Sequence, residues 1–208
     1  MTRLNGPFRV SFAATLLGLS IPMLMTGCTK SMTFPMASVT PTYNESPIQL
    51  TAGQFRPVVV VSEVQDNRPD SVVGSSGNTT FKSDQEFRRF VKRELEGMLS
   101  NDGVPLARSI AEAQSQSHSN RQVTASIRSA SYGGASSLFH RTVAGVNLLI
   151  QVSDENGQPV FAQTYFGTSE KYPAMANSRQ SGELMAEAVR QATSKTLRDS
   201  NFRAAVGL

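Results

Sequence analysis

The chain has 208 residues, a formal net charge of +4 and a single cysteine, and 39% of its residues are hydrophobic. This length and composition favour one globular domain with a modest core, and a lone cysteine excludes an internal disulfide framework. The charge is weak and evenly spread, which argues against a nucleic-acid-binding protein, because such proteins carry a concentrated basic patch.

The N-terminal 27 residues are typical of a lipoprotein signal peptide. Two arginines precede an apolar run that ends in Thr26, Gly27 and Cys28, and the first acidic residue of the chain is Glu45. Two alternatives are an uncleaved membrane helix and an ordinary signal peptide followed by an unrelated cysteine. Pro22 interrupts the run, which is short for a membrane span of about 20 apolar residues. We therefore predict cleavage before Cys28 and lipidation of its sulfur.

Lipidation has consequences for the rest of the chain. The acylated sulfur of Cys28 is not available for redox, metal or nucleophilic chemistry, and loss of the signal peptide leaves 18 basic and 16 acidic side chains, a net charge of +2. Residues 28–56 are predicted to form a flexible tether that spans roughly 30 Å as a coil, because prolines are spaced among polar side chains. An alternative is that part of this segment, Pro47–Leu50, packs on the domain as an edge. The predicted folded domain is 57–208.

This domain is predicted to begin with a buried strand at 57–64. Its four consecutive valines are β-branched and apolar on both faces, as in the central strand of a sheet. A turn follows at Asp66–Asp70, and the glycine-, serine- and asparagine-rich stretch Gly74–Thr80 predicts a loop. Since both faces of the first strand are apolar, we expect another element to cover part of the opposite side of the sheet.

The clearest predicted element is a helix from Asp84 to Asn101. Ser83 and Glu86 form a capping-box pattern at its start, and Gly103 is placed to end it in the left-handed conformation. A short helical turn is expected afterwards at 107–113. The apolar residues that recur at helical spacing, and through which we expect the long helix to dock, are Phe87, Phe90, Val91 and Leu95.

Three strands and a second long helix follow. Asp154–Gly157 predicts a type I turn that joins the last two strands into an antiparallel hairpin. A final amphipathic helix is expected at 181–198. The predicted strands are 122–132, 142–153 and 160–168.

Together these elements predict an α+β fold in the order βαβββα. An amphipathic helix needs an apolar surface to cover, and a two-layer sandwich supplies one economically. In the predicted sandwich, a four-stranded, mostly antiparallel sheet carries two amphipathic helices on one face.

The element order and two local patterns resemble the YajG-like family of uncharacterised bacterial lipoproteins. One pattern is the Asp66–Asp70 turn directly after a valine-rich strand, and the other is the Asp84–Gly103 helix with its Asn-Asp-Gly ending. Cys28 and the Asp199–Phe202 segment also stand where that family has its lipidated cysteine and its terminal segment. The resemblance implies an envelope location and a fold, but no reaction.

Few residues are candidates for chemistry. His118 and His140 have no second histidine or cysteine at metal-ligand spacing, so we interpret both as surface residues. Asp66 and Asp70 bracket Arg68, which allows either a cation or acid–base site, or a structural turn in which Asp66 caps amides and Arg68 pairs with a neighbouring carboxylate. We favour the structural interpretation and predict no catalytic, cofactor-binding or metal-binding residue.

The predicted function is that of a non-enzymatic binding or structural lipoprotein of the cell envelope. Thr29 follows Cys28, which by resemblance to enterobacterial sorting signals implies the outer membrane, with the domain facing the periplasm. A partner, either an envelope protein or peptidoglycan, is expected at a sheet edge or at the Ser131–Ser137 loop, and nucleic acid is not expected. The alternatives are an accessory activator of a cell-wall enzyme, by analogy of architecture, and a hydrolase or ligand-binding domain. The sequence specifies no oligomeric state.

Overall fold

A long strand, β7 (Asn120–Gly133), organises a mixed sheet of nine strands. The computed structural model describes residues 30–33, 36, 56–76, 79–82, 85–116, 119–133, 141–172 and 178–208. The other elements in these ranges are β1 (Lys30–Thr33), β2 (Val58–Val61), β3 (Gln65–Asp66), β4 (Val72–Ser76), β5 (Thr79–Lys82), α1 (Gln85–Asn101), β6 (Leu106–Ala107), α2 (Ile110–Gln116), β8 (Thr142–Ser153), β9 (Pro159–Lys171), α3 (Ser178–Arg198) and α4 (Ser200–Ala205).

The two edges of β7 pair differently. On one edge, β8 runs antiparallel to it, from Gln122 opposite Ser153 to Gly133 opposite Val143. The other edge accepts β2, β3 and β4 in succession, and all three run parallel to β7. The chain between residues 58 and 76 therefore follows β7 as three short pieces, while β9 extends the sheet beyond β8 by antiparallel pairing.

The predicted four-stranded, mostly antiparallel sandwich in the order βαβββα is wrong. β2, β3 and β4 pair in parallel with β7, and Gly74–Thr80, predicted as a loop, contributes to the β4–β5 hairpin. The parallel partners lie roughly 60 residues apart, so no local pattern reports the pairing. Gly74 serves a close approach rather than a turn, because a Cβ there would overlap the carbonyl oxygen of Tyr132.

Helices α1 and α3 pack on the main core face of the sheet and contact each other. Gly103 has a φ of 74°, which confirms the left-handed residue expected after α1; Ser83 and Asp84 lie outside the described residues. The side chains predicted to dock this helix are all buried, namely Phe87, Phe90, Val91 and Leu95. The sheet presents to the helices the fully buried residues Val123, Ala125, Ile127, Ala144, Val146, Leu148, Ile150 and Val152.

The opposite face of β2 is covered by the short helix α2. Val58 and Val60 form a second apolar cluster with Ala107 and Ala113, while the alternate valines of β2 belong to the main core. The expectation that another element covers this side is therefore confirmed, as is a short helix around Ala113. The prediction of only two helices is wrong, because the short helix α2 covers this second face while α1 and α3 share the first.

Part of the predicted tether belongs to the folded unit. Lys30–Thr33 forms β1, which pairs in parallel with β5, and Met36 is buried in the main core. Edge packing of this segment, one of the two alternatives, thus occurs at β1. Pro47–Leu50, where it was expected, lies outside the described residues, as do Cys28 and the predicted signal peptide.

The C-terminal half follows the sequence-based expectation closely. Gly157 has a φ of 76° in the turn between β8 and β9, where Gly157 N–H donates to the carbonyl oxygen of Asp154. This confirms the predicted hairpin. Asp199 ends α3 and caps α4, since its carboxylate accepts hydrogen bonds from the backbone N–H groups of Asn201 and Phe202.

Candidate binding surface

The turn that the sequence singled out contains a bidentate ion pair. Arg68 donates from Nε and Nη2 to the two carboxylate oxygens of Asp66, at 2.8 and 2.7 Å. Asp70 accepts a hydrogen bond from Val72 N–H at 2.9 Å. The expected pairing of Arg68 with a neighbouring carboxylate is confirmed, and it engages both oxygens of Asp66.

Other residues considered from the sequence fall mostly outside the described ranges. His118 and His140 lie there, and so do residues 134–137 of the Ser131–Ser137 loop, whose first three residues end β7. Within the described residues, no group of three or more His, Cys, Asp or Glu side chains is arranged to hold a metal ion. The described helices likewise include none with the length and hydropathy of a membrane span.

Strand β9 lies at the edge of the described sheet and is held from the helix side. The Tyr165 hydroxyl donates to Asp199 at 2.7 Å; burial and this bond raise the pKa of Tyr165, and the same bond lowers the pKa of Asp199. Further along, Gly167 lies against α3 so closely that a Cβ would overlap the carbonyl oxygen of Ala188. β9 is therefore fixed in position although only β8 pairs with it.

Helix α3 also covers part of the outer edge of β9. Lys195 Nζ donates to the carbonyl oxygen of Phe166 at 2.7 Å, and Thr168 N–H donates to Gln191 Oε1 at 3.3 Å. Gln191 and Lys195 stand one helical turn apart, so they reach successive outward groups of the strand. Capping an exposed edge in this way satisfies backbone groups that otherwise recruit another strand.

The preceding part of the edge is not covered by these side chains. In an antiparallel pair, the N–H and C=O groups of every second residue point to the same edge. Those of Phe166 and Thr168 point outward, so the backbone groups of Ala162 and Thr164 point outward too. Val160 is left unpaired by a bulge in the β8–β9 register and is 48% exposed. We call residues Val160–Phe166 the edge window.

An exposed aromatic ring marks one end of the edge window. The Phe166 side chain is 50% exposed, and its ring lies over Gly145 of β8, 3.5 Å from the position of a Cβ there. Beside it, Asn147 Nδ2 donates to Ser129 Oγ at 2.7 Å. Hydroxyl and amide groups therefore surround the ring on this face of the sheet, and Phe166 is an exposed apolar group among them.

A groove adjoins the other end of the edge window. It encloses about 490 Å³ and is lined by Arg121, Val160, Phe161, Asn201, Ala204 and Ala205. The guanidinium of Arg121 already bonds to Glu155 at 2.9 Å and to the carbonyl oxygens of Asn120 and Ala205. The groove is thus an open, partly apolar depression with a neutralised cation, which suits a side chain of a peptide better than a free anion.

Sequence reasoning predicted β9 but missed its position at the edge. The composition of the strand was a usable signal of this position. Residues Pro159–Ser169 include no charged side chain, and the first charges come at Glu170 and Lys171. Exposed edges are ordinarily protected by charges, prolines or bulges. This stretch has a proline and a bulge at its start but no charge along the rest, so its later residues lack the usual protection.

Comparison with known proteins defines the fold and nothing finer. No protein-family model and no curated protein matches the chain. Among solved structures, a Xanthomonas campestris protein assigned to the family DUF330 aligns with a TM-score of 0.54 and 11% identity, over 86% of this chain and 96% of that one. A minor lipoprotein from Acinetobacter baumannii aligns with a TM-score of 0.44 and 8% identity, over 73% of this chain and 94% of that one.

A hypothetical protein from Chlamydia trachomatis aligns with a TM-score of 0.42 and 13% identity, over 74% of this chain and 95% of that one. The likeness to the DUF330 protein shows a shared fold; at such identity it carries no activity across. The solved neighbours thus include a DUF330 protein and a lipoprotein, while the resemblance to the YajG-like family stays a prediction.

Proposed function

We propose that this protein is a lipoprotein anchored in the outer membrane through Cys28, and that its periplasmic domain binds a protein partner without catalysing a reaction. The observation that carries the binding role is the edge window, an uncharged and exposed stretch of β9 between the groove and Phe166. The anchor rests on the sequence pattern that ends in Cys28.

The chemistry of the edge window selects an extended polypeptide as its occupant. Ala162 and Thr164 direct N–H and C=O groups outward along the edge, and only another backbone offers donors and acceptors at the same spacing. Val160 and Phe166 flank these groups with exposed apolar surface. Lys195 and Gln191 end the window by capping the carbonyl oxygen of Phe166, its last residue, and the N–H of Thr168, so the bound segment would be short.

Site-specific crosslinking in intact cells tests the binding role. A photoreactive amino acid at Thr164 should yield a discrete adduct with one envelope protein, identified by mass spectrometry. The matched control is the same amino acid at Arg88, an exposed position on α1. Equal adducts from both positions, or a product containing only peptidoglycan, would contradict the proposal.

A charge placed on the edge provides a second arm. Thr164→Lys should abolish the adduct formed through a probe at Ala162, because an edge lysine opposes strand addition, while the melting temperature stays near that of wild type since the side chain is exposed. An unchanged adduct would mean that the partner contacts a different surface. Metabolic labelling with a palmitate analogue, compared with Cys28→Ser, tests the anchor separately.

A further inference from the structure

The N-terminal end of β1 identifies one end of the sheet. Lys30 pairs with Thr79 of β5, and Thr79 in turn pairs with Ser76 of β4. β4 continues the series through Ser75, which pairs with Gly133 at the end of β7. The start of β1 therefore lies at the same end of the sheet as the last residue of β7.

The same end includes the two remaining long strands. Gly133 pairs with Val143 near the start of β8, and Thr142 pairs with Lys171 at the end of β9. Six strands thus begin or finish at one rim, which extends over about 24 Å at the usual spacing between strands. We call the described residues at this end, from β1 across to Tyr172, the anchor rim.

Cys28 can lie only a short distance from the anchor rim. Only Thr29 lies between it and Lys30, the first residue of β1, and a fully extended chain advances at most about 3.6 Å per residue. The sulfur is therefore within about 10 Å of the rim, including the reach of its side chain. A 28-residue tether would have left the domain free to turn in any direction, whereas this connection does not.

The exposed side chains of the anchor rim suit a lipid headgroup layer. Tyr172 is 61% exposed, and tyrosine is enriched at the level of the headgroups because one end of its ring is apolar and the other is polar. Arg141 and Lys171 are exposed nearby, and Arg141 pairs with Glu170 at 3.0 Å, so these three side chains carry a net charge of +1. Basic side chains at a membrane surface are attracted by anionic lipids.

We propose that the anchor rim rests on the membrane surface, so that the strands stand away from the bilayer. This proposal rests on lipidation of Cys28. β7 has 14 residues and is about 45 Å long, which places the groove beside Arg121 at the end remote from the membrane. The edge window then extends from Phe166, in the middle of the domain, to Val160, at the end away from the membrane. An extended segment of a periplasmic protein can reach it there.

Fluorescence quenching in vesicles tests this orientation. Once Cys28 is acylated, the chain has no other cysteine, so an introduced cysteine is the only reactive thiol. Lipidated Tyr172→Cys and Glu155→Cys proteins, each labelled with a nitrobenzoxadiazole dye, are reconstituted in phosphatidylethanolamine–phosphatidylglycerol vesicles that contain headgroup-quencher lipids. The dye at 172 should lose much of its emission, and the dye at 155 should keep the emission seen without quencher.

Flotation separates failure of the orientation from failure of the anchor. Protein that does not float with the vesicles, and carries no palmitate label, contradicts the proposed anchoring and the orientation with it. Protein that floats but shows equal quenching at both positions contradicts the orientation alone. The double change Arg141→Glu with Lys171→Glu should reduce quenching at position 172 in the same vesicles, while the protein still floats. Unchanged quenching would contradict the recognition of anionic headgroups by these two side chains.

Discussion

Glu94 of α1 and Arg190 of α3 face each other across the contact between the two long helices, with 3.6 Å between Oε1 and Nε. The Glu94 side chain is only 1% exposed, and burial raises its pKa to about 7 although the nearby Arg190 and Arg93 oppose the rise. The negative charge of Glu187 on α3 raises the pKa of Glu94 further. A proton therefore remains on this carboxyl in the folded protein at pH values where the unfolded chain has lost it.

Stability should consequently fall as the pH rises from about 4.5 to about 7. In that window the folded state binds more protons than the unfolded state at Glu94, and the loss is at most about 3 kcal/mol. Glu94→Gln should remove this part of the pH dependence. Thermal melts of both proteins between pH 4 and 8 measure the difference, and parallel profiles would contradict the assignment.

The docking of α1 predicts an asymmetric response to truncation. Phe90 is fully buried, so Phe90→Ala should lower the free energy of unfolding by about 3–5 kcal/mol. Arg89 is exposed and pairs with the partly exposed Glu86 at 2.8 Å, so Arg89→Ala should cost less than about 0.5 kcal/mol. Urea unfolding provides both values. Similar losses of unfolding free energy in the two variants would mean that a different face of α1 packs on the core.

Gly167 should tolerate no side chain. A Cβ would overlap the carbonyl oxygen of Ala188 and lie 2.7 Å from Ala192 N, so Gly167→Ala must push α3 off the sheet and should lower the melting temperature by many degrees. Gly133→Ala is the control, since a Cβ there meets no atom within 4 Å. Equal effects in calorimetry would show that the contact with α3 is not tight.

The Asp66–Arg68 pair should behave as a structural element. The Arg68 side chain is only 4% exposed, and Arg68→Ala should destabilise the protein by about 2 kcal/mol, because it removes two charge-assisted hydrogen bonds to Asp66. Calcium or magnesium should not change the melting temperature of wild type. A rise with calcium that Asp66→Asn abolishes would instead identify a cation site, since a ligand of the folded state stabilises it.

Removal of the edge cap should promote association. Lys195→Ala frees the Phe166 carbonyl group and lengthens the exposed edge, so we expect concentration-dependent self-association in light scattering, with little change in helix content. Glu187→Ala, an exposed change on the same helix, should leave the molar mass unchanged. Association of both variants would point to helix surface charge rather than to the strand edge.

Sequence patterns predicted the elements better than their arrangement. The α1 stripe, the β8–β9 turn and the two-sided burial of β2 depend on neighbours within a few residues, and each is confirmed. The pairing of β2 with β7 joins residues roughly 60 positions apart, and alternation within a strand does not name its partner. Gly74–Thr80 was misread because glycine and serine also occur where strands approach closely.

The candidate site was predicted only in part. The pairing of Arg68 with a neighbouring carboxylate was predicted from local chemistry and is confirmed, while the absence of a cation site there stays a prediction. The edge window was not predicted, because exposure of Val160 and Phe166 depends on which strand ends the sheet and on where α3 lies. These are properties of the assembled sheet rather than of any stretch of the chain.

The three parallel pairings along β7 also set an order of assembly. β7, β8 and β9 follow one another and pair as a meander, so they can form from short loops, whereas β2, β3 and β4 require closure of a loop of roughly 60 residues. β2, β3 and β4 therefore complete their pairing only after β7 has joined them, whereas the β4–β5 hairpin can form locally.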